Sequence, residues 1–552
     1  MRRPRHREPI ARQARRILLV VAMVMPGIAL SQTRDVLMGP LVQYASGWAY
    51  AWSPLVPTGA LPGLPPSAAA LFPGLLLAAP PPVGALWAVG APAFAASEIP
   101  GARAELSAAR HGSDGTLRRP LDAQEATLTT VSGLAWQPVG LRAHGIGRVL
   151  FDRETLDGGG TRGSGFTPFS GSPFVLVDST SPEVSRSRAV LEGVMGWELG
   201  RWGIGIGVGY EARDVTAVRA LVRRSGRAAT SSGSFGVGRS VGGLRASAYA
   251  RVGGASETLT MVHGLALPFI HEMQGFTEVE PIEPANQGYR RRITRNSQAL
   301  GASLSGRLLD VSWVAWAEGT RLRERLSSIS ANDPPTDRWS TDGAAFGALA
   351  ERTLFDSAVR VIGHVRALTL EGFAERRDLD GAIFRAEEEG LQADAMVRIA
   401  PPGSAWQFGA VIATQRESRR QRDLLSLLRA SIEAWAPGVS IEIARTLGAR
   451  TAVSGGYAVR EYAPTSHIFG ADSLGPVVQQ LVAPSLEYAT TPKRAQAASL
   501  TLRTNVATTT ALFTVRHEWL SLSGLPSPTP FRPHGSRSGT QLAITFVIGQ
   551  YE

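Results

Sequence analysis

The stretch "WGIGIGVGYEAR", Trp202–Arg213, puts Trp202, Ile204, Ile206, Val208 and Tyr210 on every second position, with four glycines between them. A period of two is that of a β-strand. Glycine weakens a strand interior because it costs entropy and packs nothing. One face is therefore large and greasy, and the other is nearly bare. Lipid against the first face and a close-lying side chain or loop against the second would satisfy both. The alternative is a glycine-rich edge of a soluble sheet.

The same alternation recurs after Ile99. Leu244, Ala246, Ala248, Ala250 and Val252 oppose Arg245, Ser247, Tyr249 and Arg251. Leu391, Ala393, Ala395, Val397 and Ile399 oppose Gln392, Asp394 and Arg398, and Leu500 and Leu502 oppose Thr501 and Arg503. These are two-faced strands. A soluble β-protein would turn the apolar face inward. A transmembrane barrel turns it outward, with a polar lumen behind it. Arginines and carboxylates share the polar faces, as suits a wet or plugged interior, and Trp202, Tyr210, Trp406 and Trp519 sit near strand ends, as membrane girdles require.

The N-terminus agrees. Residues 1–31 hold seven arginines and one glutamate, a charge of +6 out of the chain's +11, and Ile17–Leu30 is a short apolar run. That is an export signal with cleavage expected after Ser31; the competing reading is a membrane anchor, which Pro26 interrupts. Residues 32–99 form an unassigned Pro/Ala/Gly-rich segment, uncharged from Val36 to Ser97. Residues 100–552 show no sharp boundary and give room for about 16–20 strands. Gly-, Pro- and Ser-rich stretches predict long loops over 155–187, 265–296, 327–341, 463–482 and 521–538. "TQLAITFVIGQYE" alternates as a closing strand should, although it ends in Tyr551-Glu552 rather than on an aromatic residue.

Chemistry is harder to find. The chain has no cysteine, which excludes disulfides, thiolate metal sites and cysteine nucleophiles. Lys493, the sole lysine, follows Pro492, so no phosphate-binding GxxxxGK[ST] loop exists. His271 and His517 each lack the second histidine of HExxH, and no serine sits in GxSxG. A hydrolase could still gather Ser, His and Asp from separate strands. His364 shares a face with Arg360 and Arg366 and reads first as an interior polar contact. Arg245, Arg251, Arg307, Arg360, Arg366, Arg398, Arg460, Arg503 and Arg516 could line an anion-favouring passage. Neutralisation by Glu211, Asp394, Glu433, Glu442 and Glu518 is the preferred reading, because carboxylates occur on the same faces.

One resemblance adds to this. "SPFVLVDSTSPEVSRSRAVLEGVMGWELGRWGIGIGVGYEARDVTAVRALVRRSG" (Ser172–Gly226) resembles a family of uncharacterised bacterial outer-membrane β-barrel proteins, with its P-F-x-x-x-D loop, hydrophobic strand, W-G-I-G strand and arginine-bearing turn. "GTLRRPLDAQEATLTTVSGLAW" (Gly115–Trp136) is similar to that family's first hairpin. The resemblance implies a barrel of unknown activity. The expectation is an all-β transmembrane antiparallel barrel in the cell outer membrane, not an enzyme, with a channel, transport-accessory or surface-scaffold role. Outer-membrane lipid is its expected partner and nucleic acid is not; a periplasmic or surface partner stays unidentified. No catalytic, cofactor-binding or metal-binding residue is assigned. A secreted soluble β-protein that binds a surface partner and a barrel-embedded hydrolase are the alternatives.

Overall fold

A computed structural model describes residues 102–117, 123–139, 142–157, 161–162, 174–178, 183–217, 222–263, 270–275, 277–281, 289–308, 310–328, 337–355, 358–376, 379, 381–469, 483–523 and 534–548. The expected leader (1–31) and the uncharged segment (32–99) lie outside the described residues. The first strands are β1 (Arg103–Gly115), β2 (Glu125–Pro138), β3 (Ala143–Asp157), β4 (Thr161–Arg162), β5 (Phe174–Asp178), β6 (Val184–Leu199) and β7 (Trp202–Ala217). They are followed by β8 (Val222–Val241), β9 (Leu244–His263), β10 (Ile270–Gln274), β11 (Thr277–Pro281), β12 (Tyr289–Leu308) and β13 (Val311–Ser328). Next come β14 (Asp337–Leu354), β15 (Val359–Arg376), β16 (Gly381–Ile399), β17 (Trp406–Asp423) and β18 (Arg429–Trp435). The chain ends with β19 (Gly438–Thr446), β20 (Thr451–Phe469), α1 (Ala483–Thr490), β21 (Lys493–Val506), β22 (Thr509–Leu522) and β23 (Ser536–Ile548).

Nineteen of these strands make one antiparallel sheet, and β1 pairs with β23 from Ala104↔Ile548 to Gly115↔Arg537, so the sheet closes on itself. Closure leaves no edge with unpaired backbone, the condition for a sheet to sit in lipid. β18 and β19 both lie between β17 and β20 and share one place in the wall, which therefore counts 18 strands. Pro437, which has no N–H to give a ladder, falls between the two halves. No described helix is long and apolar enough to cross a membrane.

Two-residue turns such as Gly242-Gly243, both at positive φ (58° and 87°), join strands at one rim. Connections at the other rim are long, as over 158–183, 264–288 and 470–492. β1 starts and β23 ends at the short-turn rim, which is the periplasmic one. Several strands reach 18 to 20 residues, and β12, β14 and β20 extend well into stretches expected as loop. A strand that crosses the bilayer needs only about 9–11 residues, so the surplus projects beyond the outer surface.

The wall is two-faced throughout. Outward lie Trp202, Ile206 and Val208 on β7, Phe235 on β8, Leu300 and Leu308 on β12, Phe346 on β14 and Ile412 on β17, all exposed. An apolar belt of this extent in water would be an aggregation surface; in acyl chains it is at rest. Trp202 and Trp406, near the periplasmic rim, are each covered by an arginine (Arg239 at 5.3 Å, Arg445 at 5.1 Å), an interfacial arrangement with the ring in the lipid boundary and the charge in water. This is an outer-membrane β-barrel, and the cell outer membrane is where such a wall belongs.

Candidate functional site

The glycine-bare inner face begins the site. Gly301 of β12 lies opposite Tyr249 of β9, whose ring occupies the space a Cβ would need. Trp316 of β13 lies likewise over Gly347 of β14, where a Cβ would come within 2.7 Å of the ring, and Trp339 of β14 covers Gly372 of β15. His111 of β1 lies over Gly539 of β23. Inward rings thus lie flat across the neighbouring strand, seated on glycine. Glycines with open space, such as Gly112, Gly233, Gly363 and Gly455, face outward. In β7 the inward Gly205 stands between Gly196 and Gly236, and Gly207 lies beside Val194 and Ser234. The bare face is a set of seats.

Two of the seated rings reach a charge one strand further. Tyr249 donates its hydroxyl to Glu318 at 2.8 Å, and Arg366 lies 4.9 Å above the Trp316 ring. Around them, buried ion pairs knit neighbouring strands. Arg188 binds Glu211 at 2.5 Å and Asp152 at 3.6 Å; Arg295 binds Glu324 at 2.6 Å and Glu257 at 3.1 Å. Side chains of the second trio are at most 3% exposed, so desolvation makes each charge depend on the others. Above the apolar belt, Arg419 stands between Glu388 (2.9 Å) and Glu417 (3.3 Å). Burial raises the Glu417 carboxyl to about 7, against the pull of Arg419 and with the push of Glu388.

Short strands from two of the outer connections reach the inner wall. Strands β4, β5, β10 and β11 form a separate four-stranded sheet, two from the connection after β3 and two from the connection after β9. Arg291 of β12 donates to the Phe174 carbonyl at 2.7 Å, which ties this sheet to the wall. Gly275, at the β10–β11 turn, packs against Phe384 of β16 and Asp423 of β17, so the hairpin reaches from one stretch of wall to another. Elsewhere on the rim, α1 packs Tyr488 on Leu117 and Leu520. Lys493 is buried beneath its C-terminus and donates to the carbonyls of Tyr488 and Thr491, groups that a helix end leaves without intrahelical partners. Tyr462 donates to the Ala489 carbonyl at 2.6 Å.

Toward the periplasm the inner wall changes character. Arg148 pairs with Glu192 at 3.1 Å and Arg360 with Glu351 at 2.6 Å, and these side chains stay partly open, at 12–26%. Arg398 donates to Gln407 at 2.8 Å and lies within electrostatic reach of Arg360, Arg503 and Glu442. His364 meets Asp394 at 3.1 Å, and its described contacts stop there, with no hydroxyl nucleophile bonded to the ring.

Arg245, Arg251, Arg360, Arg366, Arg398, Arg460, Arg503 and Arg516 face the lumen as expected, and so do Glu211, Asp394, Glu442 and Glu518. Arg516 pairs with Glu518 at 2.6 Å. Arg307 reaches only the periplasmic rim, where it pairs with the exposed Asp310 at 3.2 Å. Glu433 is corrected. It faces outward on β18, 3.7 Å from the outward Arg416, because alternation from Ala430 and Ile432 puts odd positions of that strand outside. His517 also faces outward, edge-on to Trp519 and bonded to Thr540, and His271 falls in β10. Among the described residues no group of three His, Asp or Glu could hold a metal ion. The mouth sheet was not foreseen, since it is built from strands of two to five residues within loops. The ring seats were legible in principle, as glycines at inward positions of long strands.

A family model spans residues 92–548 of this chain, every described strand included. The chain belongs to a family of unknown function, DUF6850. No curated protein matches this DUF6850 chain. Among solved structures it is similar to the siderophore receptor PiuA from Acinetobacter baumannii, at 8% identity and a TM-score of 0.38, covering 80% of this chain and 81% of that one. It is also similar to the ferripyoverdine receptor of the outer membrane of Pseudomonas aeruginosa (10%, 0.37, 81% and 72%) and to a deltaS2 mutant of the TodX monoaromatic hydrocarbon channel (10%, 0.29, 85% and 95%). Likeness at these values assigns no ligand, partner or activity to the DUF6850 chain.

Proposed function

We propose that this barrel passes small hydrophilic solutes across the outer membrane, with an outer mouth narrowed by its own loops and no catalytic role. The reading rests on the change along the inner wall. Side chains under the mouth sheet, such as Arg295 and Glu257, are closed to solvent, while Arg148, Glu192, Arg360 and Glu351 toward the periplasm remain wettable. A wet polar lumen under a loop cover suits controlled passage. Residues 1–31 would act as the export leader, 32–99 stay unassigned and 100–552 carry the barrel, in line with a family match that starts at 92. The hydrolase alternative draws no support from His364, which meets a carboxylate and, among the described residues, no hydroxyl.

Planar bilayers test the proposal. A variant with residues 270–281 replaced by a short Gly-Ser linker should show discrete current steps several-fold larger than the native protein. If neither form carries current, the passage reading is wrong.

A further inference from the structure

The outward faces of β12, β13 and β14 carry charge where the apolar belt ends. Leu308 and Leu300 mark that belt on β12, at 67% and 71% exposed. Eight residues at about 3.4 Å each, tilted by about 40°, give roughly 21 Å of height, which is close to a hydrocarbon core. Outside it, Arg321, Arg323 and Arg325 climb three successive outward positions of β13, with Arg338 on β14 and, higher still, Arg292 on β12 beside them, all exposed. Arg321 pairs with Asp342 at 2.6 Å. Among the described residues the side chains of Arg292, Arg323, Arg325 and Arg338 have no ion-pair partner, and Glu371 and Glu375 of β15 form the edge of the patch. The rows also set like charges together, for Arg325 stands directly opposite Arg338 and Arg292 lies diagonal to Arg325. Such pairs destabilise an antiparallel sheet unless an anion lies between them.

Of the inward arginines of these strands, Arg295 is paired with Glu324 and Glu257, and Arg291 donates to the Phe174 carbonyl. The outward ones wait for a partner. We propose that this patch binds the phosphate groups of a phosphorylated glycolipid of the outer leaflet. The guanidinium fork suits phosphate. Height decides the occupant: the row Arg321, Arg323 and Arg325, opposite Gln298, Asn296 and Thr294, stands about 5, 10 and 16 Å above Leu300 by the same rise and tilt. That is headgroup level, where a lipid fits and a soluble acidic protein meets acyl chains at the same time. The proposal rests on the membrane-spanning fold and is independent of whether the lumen conducts.

The full chain, folded in detergent, can be incubated with a bis-phosphorylated glucosamine-disaccharide lipid or with its dephosphorylated form, and retained lipid counted by native mass spectrometry. The native protein should retain the phosphorylated form well above the other. At about 1 kcal/mol per basic residue near an anionic surface, Arg323→Gln/Arg325→Gln/Arg338→Gln should weaken that retention about a hundredfold. The pair Arg239→Gln/Arg445→Gln, outward at the periplasmic rim beside Trp202 and Trp406, should leave it unchanged. Both variants should keep the native difference in gel migration with and without boiling, which reports the folded barrel. Equal retention of the two lipids, an undiminished preference in the triple variant, or poly-glutamate displacing the lipid from the native protein at equal charge would each overturn the proposal.

Discussion

Arg295→Met should lower the unfolding free energy of the barrel by about 3–5 kcal/mol. Methionine fills much of the volume, so the loss is electrostatic. Glu324 and Glu257, at 2.6 and 3.1 Å from the guanidinium, would be left as two buried carboxylates facing each other across β9, β12 and β13. Guanidinium titration of the protein in lipid vesicles, followed by tryptophan fluorescence, measures the change. The repair is equally specific. Adding Glu257→Leu and Glu324→Leu should restore stability to the native value or above it, because a buried ionic trio is often matched by well-packed apolar groups. If the single substitution is harmless, the inner lattice is wet, and the filled outer half described above is wrong.

Gly301→Val comes next, at about 2–4 kcal/mol of destabilisation. A Cβ at that position meets the Tyr249 ring, so the ring must lift from its seat and surrender its hydrogen bond to Glu318. Among the described residues Glu318 would then keep only Arg251, at 3.5 Å. Gly363→Ala is the matching control, since nothing lies within 4 Å of its added methyl and alanine is the better strand residue. It should be neutral or slightly stabilising. The same titration compares the two, and equal effects would show that the inward glycines have no special role.

The wall was legible in the sequence because alternation is a local property. Trp202, Ile206 and Val208 could be assigned to lipid from their spacing, and Leu500, Phe513 and Leu542 from theirs. Closure was half legible: "TQLAITFVIGQYE" reads as a strand, but its pairing with β1 joins residues more than four hundred apart. Strand extent was missed where polar outward residues such as Arg292 and Arg338 look like loop, although above the lipid a strand has no need of an apolar face. Glu433 was misplaced because Pro437 and the split of β18 from β19 break the alternation that would have fixed its phase. Ion-pair choice was out of reach. Composition gave arginines and carboxylates on common faces, but which ones meet depends on register across strands, as when Arg188 finds both Asp152 on β3 and Glu211 on β7.

Absence of native cysteine allows single nitroxide labels to report which side of the wall meets acyl chains. Labels at Val208→Cys, Phe235→Cys and Leu300→Cys in vesicles should collide readily with oxygen dissolved in lipid and scarcely with a water-soluble nickel chelate. Ser303→Cys and Thr510→Cys, on the inner face, should show the opposite preference. Nickel-rich collisions at the first three positions, with oxygen-rich ones at the last two, would contradict the outward orientation of the apolar face.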